Sequence, residues 1–404
     1  MSMPLRVSIR QAARGGSSDS VPEQQAFLDL TGARIILGGS RTHGLVAPVV
    51  PTERALFAPR GACVACDGSL WVADTGHHRV LGWPGFPEED DAPAAILIGQ
   101  PSFNHEGRNA GRDPGSASLN VPTGIAPCGN GLALADAWNH RVLIWREPPR
   151  VSNCPADIVL GQEGFDVGER NRGRDGPSAD TLFWPFGVLW DGAHLWVADT
   201  GNRRVLMWEG VPSRCGQPAD LVLGQQSFAC RDENGGAAPS TASMRWPHGV
   251  ARLGERLCVA DAGNNRIMVW NAMPRENGMA CDAILGQRTC KAVDHNQGDY
   301  WPHSGSLNMP YAVAALGDLL LVADTANSRV LAWRADSIRG QGATACALAG
   351  QPDWSSKGEN RWHRPARDSL CWPYGIATGG KRVIIADAGN NRVLIWDPAA
   401  GALA

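Results

Sequence analysis

Lysine is scarce in this chain of 404 residues: Lys291, Lys357 and Lys381 are the three lysines among 37 basic residues, which leaves 34 arginines. That bias is typical of GC-rich bacterial coding and indicates no function. The formal net charge is −3, so the chain lacks the positive excess with which many proteins bind nucleic acid. It also lacks any apolar run of about 18 residues, the length that a membrane-spanning helix needs.

The N-terminal sequence and the cysteine count bear on the compartment. The first 25 residues contain Arg6, Arg10 and Arg14 but no apolar core of a secretory signal. Eleven cysteines are an odd number, and a long chain without an export signal favours reduced thiols over a disulfide framework. We therefore expect a cytoplasmic protein with free thiols, in which residues 1–30 form an N-terminal tail.

Internal repetition is the strongest feature of the sequence. One segment occurs six times, from LWVADTGHHRVLGW (70–83) to VIIADAGNNRVLIW (383–396). Its aspartates recur every 62 or 63 residues, at Asp74, Asp136, Asp199, Asp261, Asp324 and Asp387. Each copy has the pattern of a β-hairpin, in which an apolar strand, a Gly/Asn turn able to take positive φ and an alternating strand follow one another.

Two further signatures recur in phase with the hairpin. A proline precedes small and β-branched residues at Pro59, Pro122, Pro185, Pro247, Pro310 and Pro373. A strand ends in Gly-Gln at Gln100, Gln162, Gln225, Gln287 and Gln351. Each repeat therefore supplies four short antiparallel strands, which is one blade of a propeller. The pattern predicts an all-β fold, a six-bladed β-propeller of four-stranded antiparallel blades.

The way the ring closes can also be predicted. The last repeat has no Gly-Gln strand after Trp396, whereas ARIILGG (33–39) is an extra copy of that strand near the start of the chain. We expect this N-terminal strand to complete blade six and to leave no open sheet edge.

The residues Ala-Asp-x-x-Asn-x-Arg resemble the NHL repeat family, in its bacterial type with a trailing Leu-Gly-Gln strand. The resemblance covers roughly residues 31–400, and it implies a single six-bladed propeller domain over residues 31–404. Copy one departs from the family pattern with His77 at the Asn position. Copy five has Ala326 and Ala312 where the other copies mostly have Gly.

Residues that recur in the copies are predicted to be structural, because one active site does not need six copies. The Asp and Arg that flank each turn can form charge-assisted hydrogen bonds that fix the turn and the neighbouring backbone. The predicted structural residues are Asp74, Arg79, Asp136, Asn139, Arg141, Asp199, Asn202, Arg204, Asp261, Asn264, Arg266, Asp324, Asn327, Arg329, Asp387, Asn390 and Arg392.

The repeat is longer than a usual propeller repeat of about 40–50 residues. The excess lies between each Gly-Gln and the next proline, and we expect these loops to emerge on the same face as the Asp-x-x-Asn turns. An apolar residue near each end pins the loop, while the middle of each loop differs from the others. Dissimilar loops on a rigid scaffold are a common place for recognition.

The residues on either side of the prolines make the ring lopsided, because they are aromatic in blades three to six and mostly small in blades one and two. Trp and Tyr are frequent in binding hot spots, so this rim is a candidate for partner binding; alternatively, the aromatics pack against the loops. The candidates are Arg60, Trp184, Phe186, Trp246, His248, Tyr311, Trp372 and Tyr374.

The favoured function is a non-catalytic scaffold that uses no cofactor and binds a protein partner through the loop-bearing face. The resemblance also implies a rival, because some related propellers are lyases or hydrolases with a metal in the central channel. Of the ten histidines in this chain, only His248 has the register of the channel mouth, so the sequence predicts no metal site. RNA binding is a third alternative, but arginines and acids alternate in the loops. The partner and the oligomeric state stay open.

Overall fold

The computed structural model describes residues 26–39 and 50–402. These residues form short strands that all lie within the predicted repeats. The strands are β1 (Ile35–Gly38), β2 (Gly61–Val64), β3 (Leu70–Asp74), β4 (Arg79–Trp83), β5 (Ile96–Ile98), β6 (Pro122–Cys128), β7 (Gly131–Asp136), β8 (Arg141–Trp145), β9 (Ile158–Leu160), β10 (Pro185–Trp190), β11 (His194–Asp199), β12 (Arg204–Glu209), β13 (Leu221–Leu223), β14 (Pro247–Leu253), β15 (Arg256–Asp261), β16 (Arg266–Trp270), β17 (Ala283–Leu285), β18 (Pro310–Leu316), β19 (Leu319–Asp324), β20 (Arg329–Arg334), β21 (Gln341–Ala343), β22 (Ala347–Ala349), β23 (Pro373–Gly379), β24 (Arg382–Asp387) and β25 (Arg392–Trp396).

The helical segments are single 3₁₀ turns. Six of them form the hairpin turns: Thr75–His77, Ala137–Asn139, Thr200–Asn202, Ala262–Asn264, Thr325–Asn327 and Ala388–Asn390. The others are Arg108–Gly111, Arg170–Gly173, Glu233–Gly236, His295–Gly298, Ala335–Ser337 and Glu359–Trp362. No helix in the described part of the chain is long and apolar enough to cross a membrane.

The strands form six sheets arranged in a closed ring. Their orders are β2-β3-β4-β5, β6-β7-β8-β9, β10-β11-β12-β13, β14-β15-β16-β17-β21, β18-β19-β20-β22 and β23-β24-β25-β1. The innermost strand of each sheet contacts the innermost strands of both neighbours, and β23 contacts β2 to complete the circle. The predicted all-β, six-bladed propeller with four-stranded antiparallel blades is confirmed.

The hairpin turns differ from the prediction in one detail. In every turn the residue with positive φ is the one just before the arginine. It is Asn in blades four and six (Asn265 and Asn391), as expected, but another residue type in the other blades, such as Arg203 at φ 57°. Asp199 and Arg204 form the last pair between β11 and β12, and the 3₁₀ turn Thr200–Asn202 followed by Arg203 connects them. The left-handed residue then returns the chain to β12. In five blades the side chain at this position accepts a hydrogen bond from a backbone N–H at the start of the next blade: His78, His140, Asn265, Ser328 and Asn391.

Close contact between inner strands explains the Pro-x-Gly signature. A Cβ on Gly187 would lie 2.0 Å from the His248 carbonyl oxygen of the next blade, and one on Gly61 would lie 2.2 Å from the Thr123 carbonyl oxygen. Glycine is needed where two backbones approach this closely. These contacts hold the inner strands together and keep the central channel narrow.

Apolar clusters fill the space between neighbouring blades. One of them joins Val72 and Leu81 of blade one to Ile384 and Ile395 of blade six. The tryptophans at the strand ends are also buried, at 0–4% exposure: Trp83, Trp145, Trp208, Trp270, Trp333 and Trp396. Each indole N–H donates to a backbone carbonyl, as Trp208 does to Gln217 at 2.9 Å.

Blade six takes its outer strand from the beginning of the described chain. β1 pairs antiparallel with β25, from Ile35 opposite Ile395 to Gly38 opposite Arg392. Arg367, in the loop before blade six, donates to the carbonyls of Ala33 and Arg34 and forms a bidentate pair with Asp90 of blade one, at 2.7 and 2.9 Å. One arginine therefore ties the first strand to both neighbouring blades.

The packed chain begins earlier than the predicted tail boundary. Residues 26–30, assigned to the tail, lie along the end of blade six: Phe27 and Leu28 are buried, and Leu28 forms a bridge with Pro398. Burial of these two apolar side chains stabilises the contact, so residues 26–30 pack with the propeller. Residues 1–25 lie outside the described residues.

Blade four has a fifth strand that the repeat pattern did not predict. β21 comes from the loop between β20 and β22 of blade five and pairs in parallel with β17, the outer strand of blade four. At the outer edge of blade one, a single residue of the next blade covers the backbone. The Asn153 side-chain amide accepts from the Gly99 N–H and donates to the Gln100 carbonyl. These contacts cover outer edges that would otherwise offer unpaired backbone groups.

Candidate functional site

One face of the disc carries the long loops, the hairpin turns and the channel mouth together. In blade three, Pro185 at the start of β10 stands opposite Asp199 at the end of β11. The outer strand β13 runs toward the same end, so the loop from Gln225 to Pro247 starts and finishes there. We call this side the loop-bearing face.

The paired Asp and Arg residues hold the loops as well as the turns. Arg141 is fully buried; its Nε donates to Asp136 Oδ2 at 2.8 Å and its Nη1 to the Phe165 carbonyl at 2.5 Å. Nη2 donates to the carbonyls of Gly115 and Ser118, both at 3.0 Å. One guanidinium thus fixes the loop before its blade and the loop after it.

The same ion pair is present in all six blades, with N–O distances of 2.7–2.9 Å. Burial raises the pKa of Asp199 in spite of the nearby Arg204 charge. In blade one burial acts in the same direction on Asp74, but the hydrogen bond from His77 and the charge of Arg79 hold its pKa below the usual range. In blade one His77 thus takes the place of the usual Asn as the donor that, together with Arg79, binds the Asp74 carboxylate.

A ring of asparagine pairs was missed by the sequence analysis. The loop residue Asn171, at φ 49°, and the turn residue Asn202 of the next blade exchange two amide hydrogen bonds of 3.1 and 2.9 Å. The same exchange links Asn109 with Asn139, Asn234 with Asn264, Asn296 with Asn327, and Asn360 with Asn390. The sequence carried a signal for these pairs, because each loop asparagine lies nine residues after the glutamine of the Gly-Gln strand, as Asn171 does after Gln162.

Residues that follow the prolines line the channel mouth in sequence around the ring. Ring centroids of Phe186 and His248 are 4.4 Å apart, and those of His248 and Tyr311 are also 4.4 Å apart. Tyr311 stacks on Tyr374 at 4.6 Å and 12°, and the Arg60 guanidinium lies 4.9 Å above the Tyr374 ring. The candidate residues of this register are therefore brought together, in one continuous stack.

The stack is more buried than the predicted rim. Phe186 and His248 are each only 4% exposed, so they form the wall of the mouth and do not offer open surface. The reason is the narrow channel, in which each ring covers the next. Burial also raises the pKa of Tyr311. Thr123, at the same register in blade two, is buried and donates to the Phe186 carbonyl at 3.0 Å.

The three candidates before the prolines have different surroundings, and of these Trp184 meets the His248 ring of the stack edge to face at 6.4 Å. Trp372 is 39% exposed and donates to Glu359 at 3.2 Å. Trp246 lies under the Arg245 guanidinium at 5.0 Å. Trp184 lines a cleft of about 350 Å³ together with Trp138, His140 and Phe183. They do not form one patch.

Exposed aromatic side chains are confined to the loop-bearing face within the described residues. They are 39–73% exposed, and we call them the loop-face aromatics: Trp138, Tyr300, Trp301, Trp362 and Trp372. Tyr300 and Trp301 meet edge to face at 4.8 Å, and Lys357 from the following loop lies 3.6 Å from the Tyr300 ring. Two adjacent loops therefore build one aromatic surface between blades four and six.

The channel itself is small and lined by inner-strand residues. Its cavity measures about 70 Å³, and glycines such as Gly187 and Gly249 line it with Arg60, Phe186 and Tyr374. His248 uses Nδ1 to donate to the Trp246 carbonyl at 2.9 Å. Across residues 26–39 and 50–402 no group of three or more His, Cys, Asp and Glu side chains could hold a metal ion.

Buried histidine predicts an acid-sensitive fold. Burial lowers the pKa of His248 to about 3, whereas the unfolded chain protonates near pH 6.5. The unfolded state therefore binds more protons below pH 6.5, and stability falls toward pH 3 by up to about 1.4 kcal/mol per pH unit. In urea unfolding between pH 7 and pH 4, His248→Gln should flatten this dependence.

The matched control is His363→Gln, which changes an exposed histidine of the loop before blade six. It should reproduce the pH dependence of the unaltered protein. Equal slopes for the unaltered protein and His248→Gln would contradict the assignment of a neutral, buried imidazole.

Comparison with known proteins gives a consistent result. The family model described as NHL repeat matches residues 58–83. NHL repeat-containing protein 2 of Gallus gallus is 24% identical over 376 residues, and the alignment covers 86% of this chain and 47% of that protein. The Homo sapiens protein of the same name is 24% identical over 372 residues, with the same coverage. The chain spans about half the length of these relatives.

A comparison of structures finds matches at low sequence identity. The structure titled "Streptogramin B lyase structure" has a TM-score of 0.46 and 11% sequence identity, and the match covers 87% of this chain and 97% of that one.

Proposed function

We propose that this NHL-repeat propeller is a non-catalytic scaffold whose loop-bearing face binds a protein partner. The observation that supports the proposal is the confinement of the loop-face aromatics to one side of the disc. Large aromatic side chains are frequent hot spots of protein interfaces, and clustered exposed apolar groups on a folded domain commonly mark an interaction surface.

The rigidity of the loops supports the same proposal. The Arg329 guanidinium donates to the Trp354 carbonyl of the loop after its blade and to the His303 and Ser306 carbonyls of the loop before it. The loops that carry Tyr300, Trp301 and Trp362 are thus fixed at their ends before a partner arrives. Preformed surfaces lose less conformational entropy on binding.

The arrangement favours the region between blades four and six. Tyr300 and Trp301 are held against Lys357, whose ammonium also donates to the Tyr300 carbonyl at 2.6 Å. Trp362 lies in the same loop as Lys357 and is 73% exposed. A partner that covers this surface would bury three aromatic rings and a lysine.

The test is affinity capture from the native host followed by cross-linking to map the contact. Trp301→Ser and Trp362→Ser should each weaken capture of the specific partner by about 2 kcal/mol, roughly 30-fold, while the melting temperature stays unchanged. Because both side chains are exposed, their loss costs the folded state little.

The controls are Val151→Ser and Met279→Ser, which remove exposed apolar side chains on the opposite face, in the loops between third and fourth strands. Both should leave capture unchanged. Cross-links on that opposite face, or full capture by the two tryptophan variants, would refute the proposal.

A further inference from the structure

Among residues 26–39 and 50–402, no carboxylate pairs with Arg60 at the channel mouth. The arginines of the six Asp/Arg pairs all have a carboxylate partner, whereas Arg60 forms no ion pair with any described residue. Its Nε is buried and has no hydrogen-bond partner. Residues 40–49, which precede it in the sequence, include no Asp or Glu. Buried donors are normally satisfied, so an unpaired one requires an explanation.

The side chains around Arg60 supply no negative charge. Tyr374 stacks under the guanidinium at 4.9 Å and on Tyr311 at 4.6 Å. His248 is neutral, because burial lowers its pKa to about 3 and its Nδ1 proton is donated to a backbone carbonyl. The charge of Arg60 reaches both His248 and the hydroxyl of Tyr311, where it works against the burial that raises the phenol pKa. The Tyr374 ring attracts the cation but offers no hydrogen-bond acceptor to the unpartnered Nε of Arg60.

The dimensions of the mouth limit what can satisfy these donors. The cavity of about 70 Å³ admits a group of a few atoms, and glycine backbone such as Gly61 and Gly375 lines it beside Arg60. A guanidinium presents its donors as a planar fork that matches the two oxygens of a carboxylate. The walls of Phe186 and Tyr374 suit a planar or apolar body behind that carboxylate.

We infer that the channel mouth is a binding site for a carboxylate, held by the Arg60 guanidinium and flanked by the Phe186 and Tyr374 rings. The carboxylate belongs to a small organic acid or to the carboxyl terminus of a peptide; the same fork would bind either. The inference does not rest on the proposed function, because it concerns Arg60 and the channel, whereas the loop-face aromatics lie on the loops.

The experiment is calorimetric titration of the full-length protein with benzoate and with benzamide, which has the same shape without the charge. A short alanine peptide with a free carboxyl terminus and its amide form the second pair of probes. We expect at least one acid to bind at least tenfold more tightly than its own amide. The acid with the higher affinity identifies the source of the carboxylate.

Arg60→Met keeps most of the side-chain length and removes the charge. It should lower the affinity for the acid at least tenfold, to that of the amide, and leave affinity for the amide unchanged. Arg60→Lys should give an intermediate loss, because it keeps the charge and lacks the fork. Melting temperature and near-ultraviolet circular dichroism report whether the variants fold; if Arg60→Met does not, Arg60→Lys and the unaltered protein decide the result.

Two outcomes would overturn the inference. One is equal affinity of acid and amide for the unaltered protein in both pairs of probes, weak or absent binding included. The other is unchanged affinity for the acid in a folded Arg60→Met protein. Neither result would affect the tryptophan variants that test partner binding.

Discussion

Replacing Arg141 with alanine should lower the free energy of unfolding by about 3–5 kcal/mol, the cost of breaking a buried ion pair by removing one partner. The change leaves the buried carboxylate of Asp136 without its cation and frees the carbonyls of Gly115, Ser118 and Phe165. Two loops lose their anchor together. Urea unfolding followed by circular dichroism measures the change.

The control for this prediction is Arg174→Ala. Arg174 also pairs with an aspartate, Asp180, at 3.5 Å, but its side chain is half exposed. An exposed pair contributes little, so the expected loss is below about 1 kcal/mol. Equal losses in the two variants would show that the buried pair has no special structural role.

Deleting residues 1–40 should abolish cooperative melting and cause aggregation. The deletion removes β1 and the buried side chains of Phe27 and Leu28, so β25 becomes an exposed sheet edge next to an uncovered apolar cluster. Unpaired edges with apolar neighbours promote association between chains. Differential scanning calorimetry and light scattering measure the two effects.

Deleting only residues 1–25 is the matched control and should leave the melting transition unchanged, because Phe27, Leu28 and β1 are retained. A shortened chain without residues 1–40 that melts like the full-length protein would show that β1 is not required to close the ring.

The architecture was predictable because each repeat carries its own boundary signals. Asp199 and Arg204 sit at the two ends of a hairpin, and the sequence repeats that spacing six times. The outer strand of blade six could be recognised in ARIILGG because it has the same pattern as the strands before Gln100 and Gln162. Periodicity is reliable here because every copy must bury the same face between two neighbours.

Features that depend on contacts between blades were not predictable in the same way. β21 has the sequence Gln-Gly-Ala, which has no strand pattern, and it forms only because the edge of β17 is available beside it. The burial of Phe186 and His248 depends on the channel width, which the glycine contacts of neighbouring inner strands determine. A one-dimensional pattern gives the register of a side chain but not the size of the space that it enters.

The pairing of β1 with β25 has a consequence for how the chain folds during synthesis. Ile35 is opposite Ile395, so the ribosome must add 360 residues after Ile35 before its pairing partner exists. At about 5–20 residues per second, β1 waits on the order of tens of seconds for its partner. Blades one to five can form in the order in which they are translated, whereas β1, which is made before them, docks after them. A ribosome that stalls within the sixth repeat would therefore leave an open ring with unpaired strand edges, a species that is prone to aggregate.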